Sequence, residues 1–361
     1  MMNDSKGTVR PWAVTLKGGI LFLIVNFLFS LPWAQDLGSL SLYNHVVPGL
    51  NRFSGTTNLN AFINSHIISQ PKKPDEFRVL MIGDSSVWGV LLDYEETTTG
   101  KLSDAGLQTC NGDDILAFDL GIGFKSLVKD LIILDLALEY QPDMVVWFVT
   151  LETFTDNRQL NPPFVAQNPE RVRYLKQKYD LDLAFGKKFA PKTFWDETLI
   201  GQRSRLADLV SFELSALAWG AIGEDGRGRA SGPPPNDLSN DKSFNGWKPP
   251  AFDETKLRFD LFDAGIKAAG DVPVIVVNEP IFIANGKNSD VRYNENYPKW
   301  AFDQYREMML RHSQEGGWDY LDLWDAVPSE SFSNSSFHRD ETGEEIVFQY
   351  LAPLILDLAC R

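Results

Sequence analysis

VLMIGDSSVWG, residues 79–89, is the stretch that decides how this chain folds. Val79, Leu80, Met81 and Ile82 form an unbroken apolar run, too continuous for a strand with one wet face. It suits a central strand of a parallel sheet covered on both sides. The run ends in Gly83, Asp84 and Ser85, a turn that leads into the start of a helix. A serine placed there sits among free backbone N–H groups that favour developing negative charge. Asp84, Ser85 and Ser86 would serve equally well as helix caps, so the rest of the chain has to decide between capping and chemistry.

From residue 77 onward, strand, turn and helix alternate. Strands are expected at 78–82, 115–120, 143–150, 273–278 and 319–323, and helices near 96–106, 126–140, 254–269 and 297–315, before a closing amphipathic helix. Leu127, Leu131, Leu134 and Leu138 recur at helical spacing and mark a packing face. Parallel strands joined by right-handed crossovers predict a three-layer α/β/α sandwich with about five strands, flavodoxin-like in type. Ligands bind such sheets at the carboxyl ends of the strands. Ser85, Gly121, Glu152 and His338 each follow an expected strand at that edge.

His338 is one of four histidines and lies in FSNSSFHRDETGEEIVFQYLAPLI, residues 332–355, just before the closing helix. Together with Gly83, Asp84, Ser85 and Gly89, this segment resembles the SGNH/GDSL hydrolase superfamily. The likeness runs over roughly residues 76–150 and 270–358. It implies a serine nucleophile at Ser85, a general base at His338, and acyl transfer through a serine ester with no cofactor and no metal. The second block implies a backbone oxyanion donor at Gly121, with Gly123 as the spare candidate. The third block normally reads Gly-x-Asn-Asp, but Thr150, Leu151, Glu152 and Thr153 stand there, so Glu152 occupies the position of the oxyanion-binding Asn. A carboxylate cannot donate unless protonated, which leaves Glu152 turned away, kept neutral by burial, or used for something else. The superfamily also places an acid three residues before its histidine. Ser335 is there instead, with Asn334 one position earlier. The expectation is a Ser85–His338 dyad oriented by Asn334, since an amide oxygen can hold the imidazole tautomer while stabilising the imidazolium less than a carboxylate does. Asp340, on the far side of His338, is expected to start the closing helix.

The N-terminus adds topology. GGILFLIVNFLFSLPWA, residues 18–34, carries no charge, and it reaches the length of a membrane span when Trp12–Leu16 are added with Lys17 snorkelling. Lys6, Arg10 and Lys17 precede the apolar stretch, which puts the N-terminus in the cytoplasm and the remainder outside. A cleaved signal peptide is the competing reading, although Pro32 and Trp33 make a poor site before Ala34. The expected division is a tail and anchor at 1–34, a connecting segment at 35–75 and a hydrolase domain at 76–361 with a mostly helical insertion at 152–255. Within the insertion, LVSFELSALAWGAIG is too short and too charged to span a bilayer and reads as a buried or interfacial helix. The Gly, Pro, Ser and Asn-rich run that follows it reads as a long mobile loop.

At 361 residues and 43% hydrophobic content the chain can bury one sizeable core. A net charge of −15 argues against nucleic acid and against a basic patch docking on anionic lipid. Cys110 and Cys360 are too few and too far apart for a zinc site, but they are able to pair in an oxidising compartment. The expected function is that of a membrane-anchored, extracytoplasmic esterase or O-acyltransferase. Its substrate would be an acylated small molecule or cell-envelope glycan, typically carrying acetyl esters, with a membrane acyl-transfer partner as a further option. The rival class is a catalytically inactive glycan-binding or scaffold protein of the same fold.

Overall fold

The computed structural model describes residues 10–31, 56–222, 232–250 and 253–361. Helix α1 (Pro11–Phe29) precedes the body and α2 (Leu59–Asn64) opens it. The alternating part then runs β1 (Glu76–Ile82), α3 (Ser85–Trp88), α4 (Thr98–Asp104), β2 (Asp114–Asp119), α5 (Leu127–Ala137) and β3 (Met144–Val149). Helices α6 (Pro169–Tyr179) and α7 (Arg203–Ile222) follow. The pattern resumes with α8 (Phe259–Ala269), β4 (Val274–Asn278), α9 (Lys299–Gly316), β5 (Asp319–Asp322) and α10 (Glu341–Ala359).

All strand pairings are parallel, in the order β2-β1-β3-β4-β5. This is the expected three-layer α/β/α sandwich, and its sheet order is that of the flavodoxin-like doubly wound folds. The continuous apolar strands are explained by burial on both faces. Leu80, Ile82, Val145, Trp147 and Val276 pack with α5, α8 and α9 on one side. Their neighbours Val79, Met81, Val146, Phe148 and Val277 pack with α4 and α10 on the other. On the first side Trp147 stacks on Phe262 of α8 at 5.0 Å between ring centroids.

Expected and observed elements differ in two places. The helix expected at 254–269 begins only at Phe259, because Glu254–Lys256 forms a separate 3₁₀ turn. Residues 232–250, expected to be mobile, lack helices but are held to the body. Arg292 and Trp300 donate to the carbonyls of Asp241 and Lys242, Asn288 donates to that of Leu238, and Phe244 is buried. Residues 35–55 of the connecting segment lie outside the described residues. Cys110, before β2, and Cys360, after α10, are joined by a disulfide.

Candidate active site

Gly83 ends β1 where the chain must pass between β3 and the next turn. A Cβ there would lie 2.6 Å from Val87 and 3.0 Å from Phe148, so only glycine fits. Asp84 then caps α3, its carboxylate accepting the Ser86 N–H at 2.7 Å. This is the capping role anticipated for the tripeptide, and it leaves Ser85 as the first residue of a one-turn helix. Gly89, at φ 76°, ends that turn in the left-handed region. The hydroxyl of Ser85 is thereby presented at the carboxyl edge of the sheet.

His338 reaches Ser85 from the loop after β5. Its Nε2 lies 2.8 Å from Ser85 Oγ and its Nδ1 2.7 Å from Asn334 Oδ1. An amide oxygen only accepts, so Nδ1 carries the proton and Nε2 offers its lone pair to the serine hydroxyl. The loop is tied into place: Ser335 Oγ accepts the His338 N–H at 3.1 Å, and Ser333 N–H donates to the His338 carbonyl at 2.8 Å. Asp340 starts α10, accepting the Gly343 N–H at 2.9 Å. Burial lowers the His338 pKa to about 4, with Lys125 and Arg339 pushing the same way and Asp84 opposing them. The imidazole is therefore neutral at neutral pH, as a general base must be.

Of the three expected oxyanion groups, Ser85, Gly121 and Glu152, the last two are placed otherwise. Gly121 N–H donates to Asp119 Oδ1 at 2.8 Å, so that donor is already committed. The glycine is needed for close approach instead, since a Cβ would lie 2.5 Å from Trp88 N. Glu152 is nearly buried and ion-paired, accepting from Arg158 Nη2 at 2.6 Å. Its carboxyl oxygen is taken up by that guanidinium, so of the three alternatives Glu152 takes another use. Gly123 borders the same cavity as Ser85, with open space where a Cβ would be. That cavity, about 350 Å³, is walled mainly by Trp88, Val90, Ile122, Phe124, Pro163 and Phe164.

A charged group beneath Ser85 escaped sequence reasoning. Lys125 Nζ lies 3.4 Å from Asp84 Oδ2 and 3.1 Å from Glu279 Oε1, and Ser86 Oγ donates to Glu279 Oε2 at 2.5 Å. All four side chains are buried. Burial works against ionisation of Asp84, yet Lys125, the Ser86 N–H and Lys129 hold its carboxyl well below the usual range. Glu279 is pushed up by burial and by the Asp84 charge. Arg339, next to His338, donates to Glu344 at 2.8 Å and to the Ser86 carbonyl at 3.2 Å, joining the base loop to the nucleophile turn. A signal was available: Glu279 directly follows β4, at the edge where Ser85 follows β1.

No family model matches the chain, and no curated protein matches it. Among solved structures it is similar to a carbohydrate acetylesterase from Sinorhizobium meliloti, at 13% identity over 78% of this chain and 99% of that one, TM-score 0.37. It is also similar to the aryl esterase of M. smegmatis, at 11% identity over 78% and 99% of the two chains, TM-score 0.37. A third is a structure described as a G-D-S-L family lipolytic protein from Desulfitobacterium hafniense DCB-2, at 13% identity over 77% and 98%, TM-score 0.36. The parallel sheet order together with a Gly-Asp-Ser turn after β1 and a histidine loop before the last helix is an SGNH/GDSL-hydrolase-like fold. What the site does rests on its own geometry.

Proposed function

We propose that the chain is a serine-dependent acyl-transfer enzyme, an esterase or O-acyltransferase acting on acyl esters. The observation that carries this is the continuous line Ser85 Oγ, His338 Nε2, His338 Nδ1, Asn334 Oδ1, with contacts of 2.8 and 2.7 Å. His338 takes the Ser85 proton as Oγ attacks the acyl carbonyl, and the backbone N–H groups of Ser85 and Gly123 hold the oxyanion. Return of that proton releases the alcohol and leaves an ester on Ser85. Water as the second acceptor gives hydrolysis, and a sugar hydroxyl gives transfer. The apolar cavity at Ser85 takes the acyl group. Helix α1 is long and apolar enough to cross a membrane. An anchor there, with the body outside, makes O-acetyl esters of envelope glycans the leading substrate class.

The test is labelling of the full chain in detergent with a fluorophosphonate, read by intact mass, beside Ser85→Ala and His338→Ala. Stoichiometric labelling that disappears in both variants is expected. A folded chain that takes no label would favour instead a binding protein of the same fold, the reading supported by the missing triad acid and by the Arg158-paired Glu152.

A further inference from the structure

Helix α7 is apolar on two faces. Phe212 and Ala216 are buried against Ala61, with Leu209 and Trp219 packed beside them. On the other side Ala207, Val210, Leu214, Leu217 and Ala221 recur at spacings of three and four and are exposed, Val210 by 57% and Leu214 by 63%. That regularity makes a continuous apolar stripe about four helical turns long, which water does not favour. Arg203, Arg205, Asp208 and Glu213 exclude α7 as a span.

What covers the stripe is indicated by its neighbour. Ile200 N–H, in the turn that feeds α7, donates to Asn26 Oδ1 at 3.2 Å, and Asn26 is the buried residue of α1. Asn26 sits about 5 Å of helix rise from the end of α1. If α1 crosses a bilayer, Ile200 lies at the boundary between hydrocarbon and headgroups. The side chains around it fit that depth: Trp195 is exposed by 71%, and Phe194 and Ile200 by about half. Residues 187–205 also bring Lys187, Lys188, Lys192, Arg203 and Arg205 against Asp196 and Glu197, a locally basic stretch in an acidic chain. Net charge of the whole molecule argues against anionic lipid, but electrostatic attraction to a surface acts over about a Debye length and is decided locally.

We propose that the outer stripe of α7 lies in the interface of an anionic lipid bilayer beside α1, so that the chain contacts the membrane at two places. The second contact fixes how the body stands on the surface, where a lone helix followed by a connecting segment would leave it free to tumble. This goes beyond the esterase reading and does not depend on it.

The paired native cysteines leave an introduced thiol as the labelling site. Leu214→Cys and Ala207→Cys in the full chain, each carrying the NBD fluorophore, are reconstituted into phosphatidylcholine–phosphatidylglycerol vesicles. Leu310→Cys, exposed in α9, is the reference. The proposal expects blue-shifted emission and quenching by doxyl-labelled lipid at both α7 positions, with quenching by aqueous iodide confined to the reference. Iodide quenching at all three positions in floated vesicles overturns it. So does a blue shift without doxyl quenching combined with oxidative disulfide cross-linking between unlabelled Leu214→Cys chains, the result for a second copy covering the stripe. A chain that does not float with the vesicles overturns both the proposal and the anchor reading.

Discussion

The two sides of Ser85 are built on opposite electrostatic plans. Toward solvent stands a neutral line, His338 backed by the amide of Asn334. Beneath it, closed off from water, Lys125 is shared between Asp84 and Glu279. A serine triad ordinarily keeps its carboxylate behind the histidine, where it stabilises the imidazolium. Here the carboxylate that raises the His338 pKa is Asp84, on the nucleophile's own turn. The difference separates two jobs. The buried charges hold the turn's shape through the Asp84 cap and the Ser86–Glu279 bond, and the neutral line moves the proton.

The sharpest way to break that division is Lys125→Met, which leaves two buried carboxyls facing one another without their cation. Breaking a buried ion group in this way costs about 3–5 kcal/mol. Chemical denaturation should show a loss in that range, whereas a loss under about 1 kcal/mol would mean the three charges do not act as a unit. On the neutral side a smaller effect is expected. Asn334→Ala frees the imidazole tautomer and should lower kcat by roughly ten- to a hundredfold, with the fold unchanged by circular dichroism. Asn334→Asp sharpens the contrast instead, by placing a carboxylate within reach of His338 Nδ1.

The smallest effect is a shift in pH. His338 must be neutral to accept the serine proton, and burial puts its pKa at about 4. The acid limb of kcat/KM should therefore fall near pH 4 and stay flat through neutrality. In Asn334→Asp the limb should move upward, because a carboxylate beside the ring favours its protonated form. An unmoved limb would separate His338 from the acid side of the profile. His66, fully buried with Nδ1 donating to the Phe62 carbonyl at 2.6 Å, also has its pKa lowered to about 4 by burial. For both histidines the unfolded chain binds protons first as pH falls from 6.5, so the thermal midpoint should drop between there and about 4.

Much of the sheet could be read from the residues because each central strand carries an unbroken apolar run, such as Val79–Ile82 in β1, and β1 is followed by a turn with a local signature. Glycines that tolerate no Cβ, an Asp cap and a histidine before an acidic helix start are all short-range features. They brought Ser85, His338 and Asn334 to one edge. Gly121 and Glu152 show where alignment to a pattern fails. The direction of a backbone N–H is set by the Asp119 side chain, and the partner of Glu152 is an arginine in the next turn. Lys125 and Glu279 were missed for a different reason: each is an ordinary charged loop residue until the other, arriving from a distant strand end, is buried against it. The polar run at 232–250 reads as solvent-loving by composition, yet Arg292, Trp300 and Asn288 supply it with donors that no local pattern announces.

The Cys110–Cys360 bond bears on what happens to this molecule when it is cut. Ser85 lies before the cross-linked stretch and His338 within it. A single break of the backbone between them, anywhere after Cys110, would put nucleophile and base on different polypeptides, yet the sulfur bridge keeps those two pieces as one covalent body. Nicked protein would run as an intact species on a gel without reductant and as two fragments with it. A protease could therefore sever the chain without separating its reacting groups.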